Sequence, residues 1–174
     1  MGSRPLFFCV GKRVREHPDL VAALVKAGHT AANHSHGHAW WTNFLGGRRL
    51  DLEIRRAQQE IFRACGRTPA FFRPPVGLSN PHLHQALRKN GLTLVGWDVR
   101  SYDRFRDPDA VLRKILQEAR DGAIILLHDR RDQAGELEQF LDRLIPALKE
   151  KGFNLIGLDE SLGLPPYLDP GDSR

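Results

Sequence analysis

Leu20-Val21-Ala22-Ala23-Leu24-Val25-Lys26-Ala27-Gly28-His29-Thr30-Ala31-Ala32-Asn33-His34-Ser35-His36-Gly37-His38 carries a helix, its stop, a strand and a histidine cluster in one unbroken stretch. Leu20, Val21, Leu24 and Val25 repeat with helical spacing, Pro18 suits the first turn, and Gly28 closes the helix by reaching the left-handed conformation that ends it. A short strand over residues 30–32 then leads to the histidines. The same order of amphipathic stretch, glycine and apolar strand recurs at Cys65-Gly66-Arg67, Asn90-Gly91-Leu92, Asp121-Gly122-Ala123 and Lys151-Gly152-Phe153. Strands alternating with helices of about 10 to 15 residues predict an α/β fold: a parallel sheet whose right-handed crossovers curl it toward a barrel. Four strand ends carry the histidine cluster, Arg73-Pro74-Pro75, the segment from Asp98 to Asp103, and His128-Asp129. In such folds that edge gathers catalytic groups, so the pattern reads as an enzyme.

Outward from this stretch, residues 6–10 form an apolar run ended by Gly11, which suits a strand buried on both faces. A helix over about 50–65 carries Leu50, Ile54, Ala57, Ile61 and Cys65 on one side. Residues 70–72 and 92–97 read as strands, separated by a helix that Asn80 caps and Pro81 opens. Asp107-Pro108 starts a further helix to about 120, and 123–127 is the clearest buried strand. The last helix, about 136–151, contains Pro146 and should kink or break there. Residues 153–158 read as the last strand, and 165–174, rich in Pro, Asp and Gly, as poorly ordered.

The 174 residues, 41% hydrophobic, suffice for one domain, placed at 5–160 with a tail over 161–174. The formal charge of +5 favours anionic partners such as cell-wall polymers. Its excess is scattered in pairs such as Arg48-Arg49 and Arg130-Arg131, without interleaved aromatics, which argues against nucleic-acid binding. Cys9 and Cys65 alone make no disulfide framework and read as buried thiols. No stretch approaches the roughly 20 apolar residues of a membrane span, and no signal peptide is legible, so the chain reads as unexported, with its compartment open.

Three constellations carry chemistry. His34 and His38 stand four apart, a spacing that lets both imidazoles face one metal, with Asn33 and Ser35 available to orient them. Arg73 offers a guanidinium that forks onto a carboxylate. Pro74 and Pro75 stiffen the loop behind it, the Val76 N–H can meet an oxyanion, and Gly77 lets backbone approach a ligand. Asp103 can hold His128 in one tautomer and equip it as a general acid. Asp98 and Asp129 read as hydrogen-bonding loop backbone; His17, His29, His82 and His84 need no function.

These residues resemble the polysaccharide deacetylases of carbohydrate esterase family 4, the NodB-homology domain. His34-Ser35-His36-Gly37-His38 fits the family's His-Ser/Thr-x-x-His metal motif, and residues 73–77 resemble its third motif with Val76 in place of an aromatic. Asp103 fits the fourth motif and Leu126-x-His128 the fifth. The resemblance implies a distorted (β/α) barrel and hydrolysis of N- or O-acetyl groups on a sugar polymer. His34 and His38 would hold a divalent metal, often zinc. Arg73, Asp103 and His128 would serve catalysis, and Pro75, Val76, Gly77, Trp97 and Leu126 would contact the acetylated carbohydrate.

Two departures follow. The family's first motif, Thr-Phe-Asp-Asp-Gly, is absent from the 174 residues. With it go a base, a third ligand and the carboxylate that the resemblance pairs with Arg73. The reading therefore expects an incomplete barrel lacking its first β/α unit, with residues 6–10 at an open sheet edge that a second copy could cover. Arg100 and Arg104 also stand where the fourth motif usually has Asp and Trp. The alternative function is a catalytically impaired relative that binds metal or carbohydrate.

Overall fold

A computed structural model describes residues 4–39, 46–129 and 134–169. Arg130, Arg131 and residues 170–174 lie outside them. The chain forms two compact units, Met1–Val95 with Ile156–Arg174, and Gly96–Leu155.

The first unit is built on four parallel strands in the order β1-β2-β4-β5. They are β1 (Leu6–Cys9), β2 (Thr30–Asn33), β4 (Phe71–Phe72) and β5 (Thr93–Leu94). β2 lies between β1 and β4 and is buried throughout. β1 pairs only with β2 among the described residues and is half-buried, where the sequence predicts burial on both faces. An edge strand has one neighbour, so its apolar run is only partly covered. Among the described residues β1 thus holds the edge position expected of it.

Helices α1 (Gly11–Glu16), α2 (Pro18–Lys26) and α4 (Pro81–Lys89) pack against the long α3 (Gly47–Cys65). The α3 face is the predicted one, with Leu50, Ile54, Ala57 and Ile61 buried at helical spacing, while Cys9 and Cys65 are half-buried. At Gly66 the backbone turns left-handed, φ 69°, and closes α3 through its N–H to the Phe62 carbonyl. Asn80 caps α4, its Oδ1 accepting from the Leu83 N–H at 2.8 Å.

Two predictions fail at the C-terminal end. Residues 153–158 form no strand. Phe153 and Leu155 pack into an apolar cluster without a ladder partner, and α7 (Leu158–Leu162) begins after Gly157, which holds its N-cap position in extended conformation. Residues 165–169 are not loose either: β8 (Tyr167–Leu168) pairs antiparallel with β3 (Thr68–Pro69), and the Tyr167 hydroxyl accepts from the Ala31 N–H at 3.1 Å.

The second unit pairs β6 (Val99–Arg100) in parallel with β7 (Ile125–Leu126), beside α5 (Pro108–Glu118) and α6 (Ala134–Glu150). Val99, Val111, Ile115, Phe140, Leu144 and Leu148 form its core. β7 is shorter and less buried than predicted, with Ile124, Ile125 and Leu127 partly covered. Helix α6 runs through Pro146 without breaking. Pro146 and Asp142, whose carbonyl loses its donor, both lie on the exposed side, where water can take that carbonyl. Among the described residues no helix is long and apolar enough to cross a membrane.

Ile54 is fully buried, whereas Leu52 on the same helix is 45% exposed. Ile54→Ala should cost about 2–5 kcal/mol in urea unfolding, and Leu52→Ala about 0.5 kcal/mol or less.

Candidate active site

The end of β2 sets the first group of side chains. Asn33, fully buried, donates from Nδ2 to the Ile54 carbonyl at 2.9 Å and accepts the Ser35 N–H on Oδ1 at 2.9 Å. Ser35 Oγ then accepts the His38 N–H at 3.1 Å. This relay folds the chain back after β2, with Ser35 and His38 at φ 62° and 51°. The orienting role expected of Asn33 and Ser35 is therefore exerted through backbone. Glu53, which sequence reasoning missed, accepts the Gly37 N–H at 2.7 Å. Its only signal was a carboxylate on the α3 turn beside Ile54.

The turn brings the two imidazoles together. His34 Nδ1 lies 2.7 Å from the Arg73 carbonyl, which can only accept, so Nδ1 carries the proton and Nε2 is left with its lone pair. That Nε2 stands 3.1 Å from His38 Nε2, and the ring centroids are 4.6 Å apart. Two nitrogens on one tetrahedral zinc stand roughly 3.3 Å apart for Zn–N bonds of about 2.0–2.1 Å. The pair therefore fits as two ligands of such a cation, with His38 exposed enough to admit it. Among the described residues no group of three or more His, Cys, Asp or Glu side chains gathers around a common point. His36 points away and is buried; burial pushes its imidazole below the ordinary pKa, against the opposing pull of Glu53. Its Nδ1 would lie 2.7 Å from a Cβ on Gly11, so that position has no room for a side chain.

The loop after β4 follows. Arg73 is buried, with its guanidinium 4.1 Å from the Phe8 ring centroid and Nε donating to the Val95 carbonyl at 3.3 Å. Burial lowers its pKa to about 10, so it stays charged at neutral pH. Pro75, buried, opens a 3-10 turn in which Val76 adopts φ 62°. For a β-branched residue that is a strained, left-handed conformation. Gly77 completes the turn, its N–H donating to the Pro74 carbonyl at 3.1 Å.

The second unit holds the other group. His128 Nδ1 lies 2.9 Å from Asp103 Oδ1, and the His128 N–H donates to Asp103 Oδ2 at 2.7 Å. Ser101, buried and not foreseen, donates from Oγ to Asp103 Oδ1 at 2.6 Å. Burial works to raise the Asp103 pKa, but the hydrogen bonds from His128 and Ser101 prevail and hold it below the ordinary carboxylate value. Trp97 and Leu126 also belong to this unit, Trp97 partly covered and Leu126 buried. Asp98, as expected, serves loop structure, accepting from the Ile124 N–H and Arg120.

Residues 3–95, more than half of the chain, match the polysaccharide deacetylase family. The chain belongs to that family. A chitooligosaccharide deacetylase of Rhizobium leguminosarum bv. trifolii is 32% identical to this polysaccharide deacetylase homologue over 166 residues, covering 88% of this chain and 77% of that one. The peptidoglycan-N-acetylglucosamine deacetylase PgdA of Listeria monocytogenes is 30% identical over 174 residues, covering 97% of this chain. This chain spans 36% of that relative's length. Among solved structures, a family 4 carbohydrate esterase from Streptomyces lividans in complex with acetate is 37% identical, with a TM-score of 0.77 over 86% of this chain and 76% of the other. The α/β fold class of the sequence reading, with its parallel strands, agrees with these relatives.

Val76 is 56% exposed, so little packing is lost on truncation. Val76→Gly should raise stability by about 1 kcal/mol in urea unfolding. Strain relief of roughly 1–3 kcal/mol outweighs glycine's roughly 0.5–1 kcal/mol entropic cost. Asp103, with its pKa depressed on folding, adds stability that is complete above the unfolded value of about 3.9 and is lost as pH falls through the lower folded value. Asp103→Asn should therefore flatten the acid limb of an unfolding-versus-pH curve in that window.

Proposed function

We propose that this chain hydrolyses N- or O-acetyl groups on a carbohydrate polymer, as the names of its chitooligosaccharide and peptidoglycan deacetylase relatives suggest, with a divalent metal held by His34 and His38. The observation that carries the reading is the approach of the two Nε2 atoms to 3.1 Å while His34 Nδ1–H is anchored on the Arg73 carbonyl. When bound, a zinc-type cation supplies Lewis acidity that polarises the acetyl carbonyl and makes water easier to deprotonate.

The chain's own groups do the rest. A water oxygen bonds to the acetyl carbon, the C–N or C–O bond breaks and acetate leaves. The Val76 N–H, on its left-handed turn, donates to the oxygen that gains negative charge. His128, its Nδ1–H held on Asp103, takes the proton shed by the attacking water at Nε2 and passes it to the departing amine or alcohol. Asp103 fixes that tautomer, and Ser101 fixes Asp103. Arg73 keeps a positive charge and positions His34 through its carbonyl. Of the expected sugar contacts, Gly77 in the first unit and Trp97 in the second are open enough to meet a glycan, whereas Pro75 and Leu126 are buried and support their loops from behind.

One observation favours a second reading, a relative that binds metal or glycan with little turnover: among the described residues no third ligand joins the histidine pair. A zinc titration and an acetate-release assay on acetylated chitooligosaccharides and peptidoglycan fragments separate the two. Under the first reading, His38→Ala loses zinc and activity together. His128→Ala keeps zinc but loses roughly 10²- to 10⁴-fold in kcat. Under the second, zinc binds the wild type and not His38→Ala, while acetate release by the wild type equals that of His128→Ala. If the wild type binds no zinc the first reading fails, and if it binds neither zinc nor the glycan both fail.

A further inference from the structure

The strongest feature left unused lies on the second unit between β6 and α5. Tyr102, 38% exposed and at φ 59°, has three cations around its ring. The Arg100 and Arg106 guanidiniums lie 5.0 Å and 5.1 Å from its centroid, and Lys114 Nζ lies 5.7 Å away. Arg100 is also 5.9 Å from the Trp97 ring, and Arg104 is 6.0 Å from Phe105, which is 80% exposed. Like charges crowded on one ring repel each other, and aromatic faces offset only part of that.

Among the described residues several arginines elsewhere are neutralised, while others such as Arg15, Arg56 and Arg88 stand singly on exposed helix faces without a second cation on the same ring. Arg4, Arg13, Arg55, Arg63 and Arg143 each meet a carboxylate. Within this cluster Lys114 pairs with Glu118, but among the described residues Arg100, Arg104 and Arg106 have no carboxylate partner. A guanidinium lying over a ring uses its face and leaves its edge donors free to fork onto carboxylate or phosphate oxygens. Arg106 also lines a cavity of about 60 Å³ together with Asp103 and His128. Arg106 therefore brings one cation of the cluster to the wall beside the proposed proton donor, a wall that Glu136 also lines.

We infer that Arg100, Arg104 and Arg106, arrayed on Trp97, Tyr102 and Phe105, select a glycan that carries a carboxylate or phosphate close to its acetylated sugar. The inference rests on the deacetylase reading and names its substrate class: an anionic polymer in preference to a neutral one. The positive field gathers such a strand from solution, and the forked donors hold it.

Calorimetric titration tests this with three acetylated tetrasaccharides: neutral N-acetylglucosamine, N-acetylglucosamine alternating with glucuronate, and N-acetylglucosamine bearing one phosphate. The wild type should bind at least one anionic form roughly tenfold tighter than the neutral one at low salt. The preference should shrink as ionic strength rises from roughly 0.01 to 0.15 M. The glucuronate and phosphate arms tell which anion is read. The combined R100Q/R104Q/R106Q variant, checked for folding by circular dichroism, should lose the preference, and R100K/R104K/R106K should recover its salt-dependent part. Equal affinity for all three sugars, a preference that survives the glutamine variant, or equal competition by a single-stranded oligonucleotide of the same charge would overturn the inference. Failure of the deacetylase reading would look different: anion-selective binding with no acetate released from any of the three.

Discussion

One carbonyl, that of Arg73, couples the parallel sheet to the chemistry of the first unit. β2 and β4 pair at Asn33 and Phe72, and the ladder continues one residue further, the Arg73 N–H donating to the Asn33 carbonyl at 3.1 Å. The Arg73 carbonyl then takes the proton of His34 Nδ1 at 2.7 Å. Strand register thereby decides an imidazole tautomer, and the tautomer decides which nitrogen faces His38. A slip of one residue would turn His34 to the other face and dissolve the pair. β2 is protected from such a slip because it is buried throughout and paired on both sides.

Each unit carries a charged group on the buried side of its histidine. In the first, Arg73 lies in the sheet with Phe8 across its guanidinium and the Val95 carbonyl on Nε. Burial draws its pKa down to about 10, a loss that still leaves it cationic. In the second, Asp103 is anionic and accepts three hydrogen bonds, from His128 Nδ1, the His128 N–H and Ser101 Oγ. An ion can be kept in a low-dielectric place only when its hydrogen bonds replace those of water. The strained Val76 turn and the left-handed Ser35 and His38 lie in the same loops, where surrounding hydrogen bonds hold backbone away from its local minimum.

Much of this was legible in the chain because it depends on short-range order. The spacing of His34 and His38, the caps at Asn80 and Asp107, and the buried face of α3 are all set within a few residues. Glu53 was invisible because a carboxylate takes its meaning from the group it meets, and the Gly37 N–H lies 16 residues away; Ser101 is only two residues from Asp103, yet spacing alone does not say that its hydroxyl turns onto that carboxylate. Residues 153–158 misled for a related reason. Phe153 and Leu155 have the composition of a strand, but a strand exists only where a neighbour offers a ladder. Tyr167 lies in a segment whose Pro and Asp content reads as loose, and it is held by β3 and by the Ala31 N–H, both remote in sequence.

By itself the sequence determined the alternation of helices and strands, the histidine pair, the Asp103 and His128 partnership and the family, since periodicity, capping and motif spacing are local and survive in one dimension. Tertiary structure alone decided which His34 nitrogen is free, how deeply Arg73 is buried, that Val76 is strained, and that three arginines crowd around aromatic rings without carboxylates. Those properties are distances and solvent exposures between residues far apart along the chain, and they come into being only when packing brings them together.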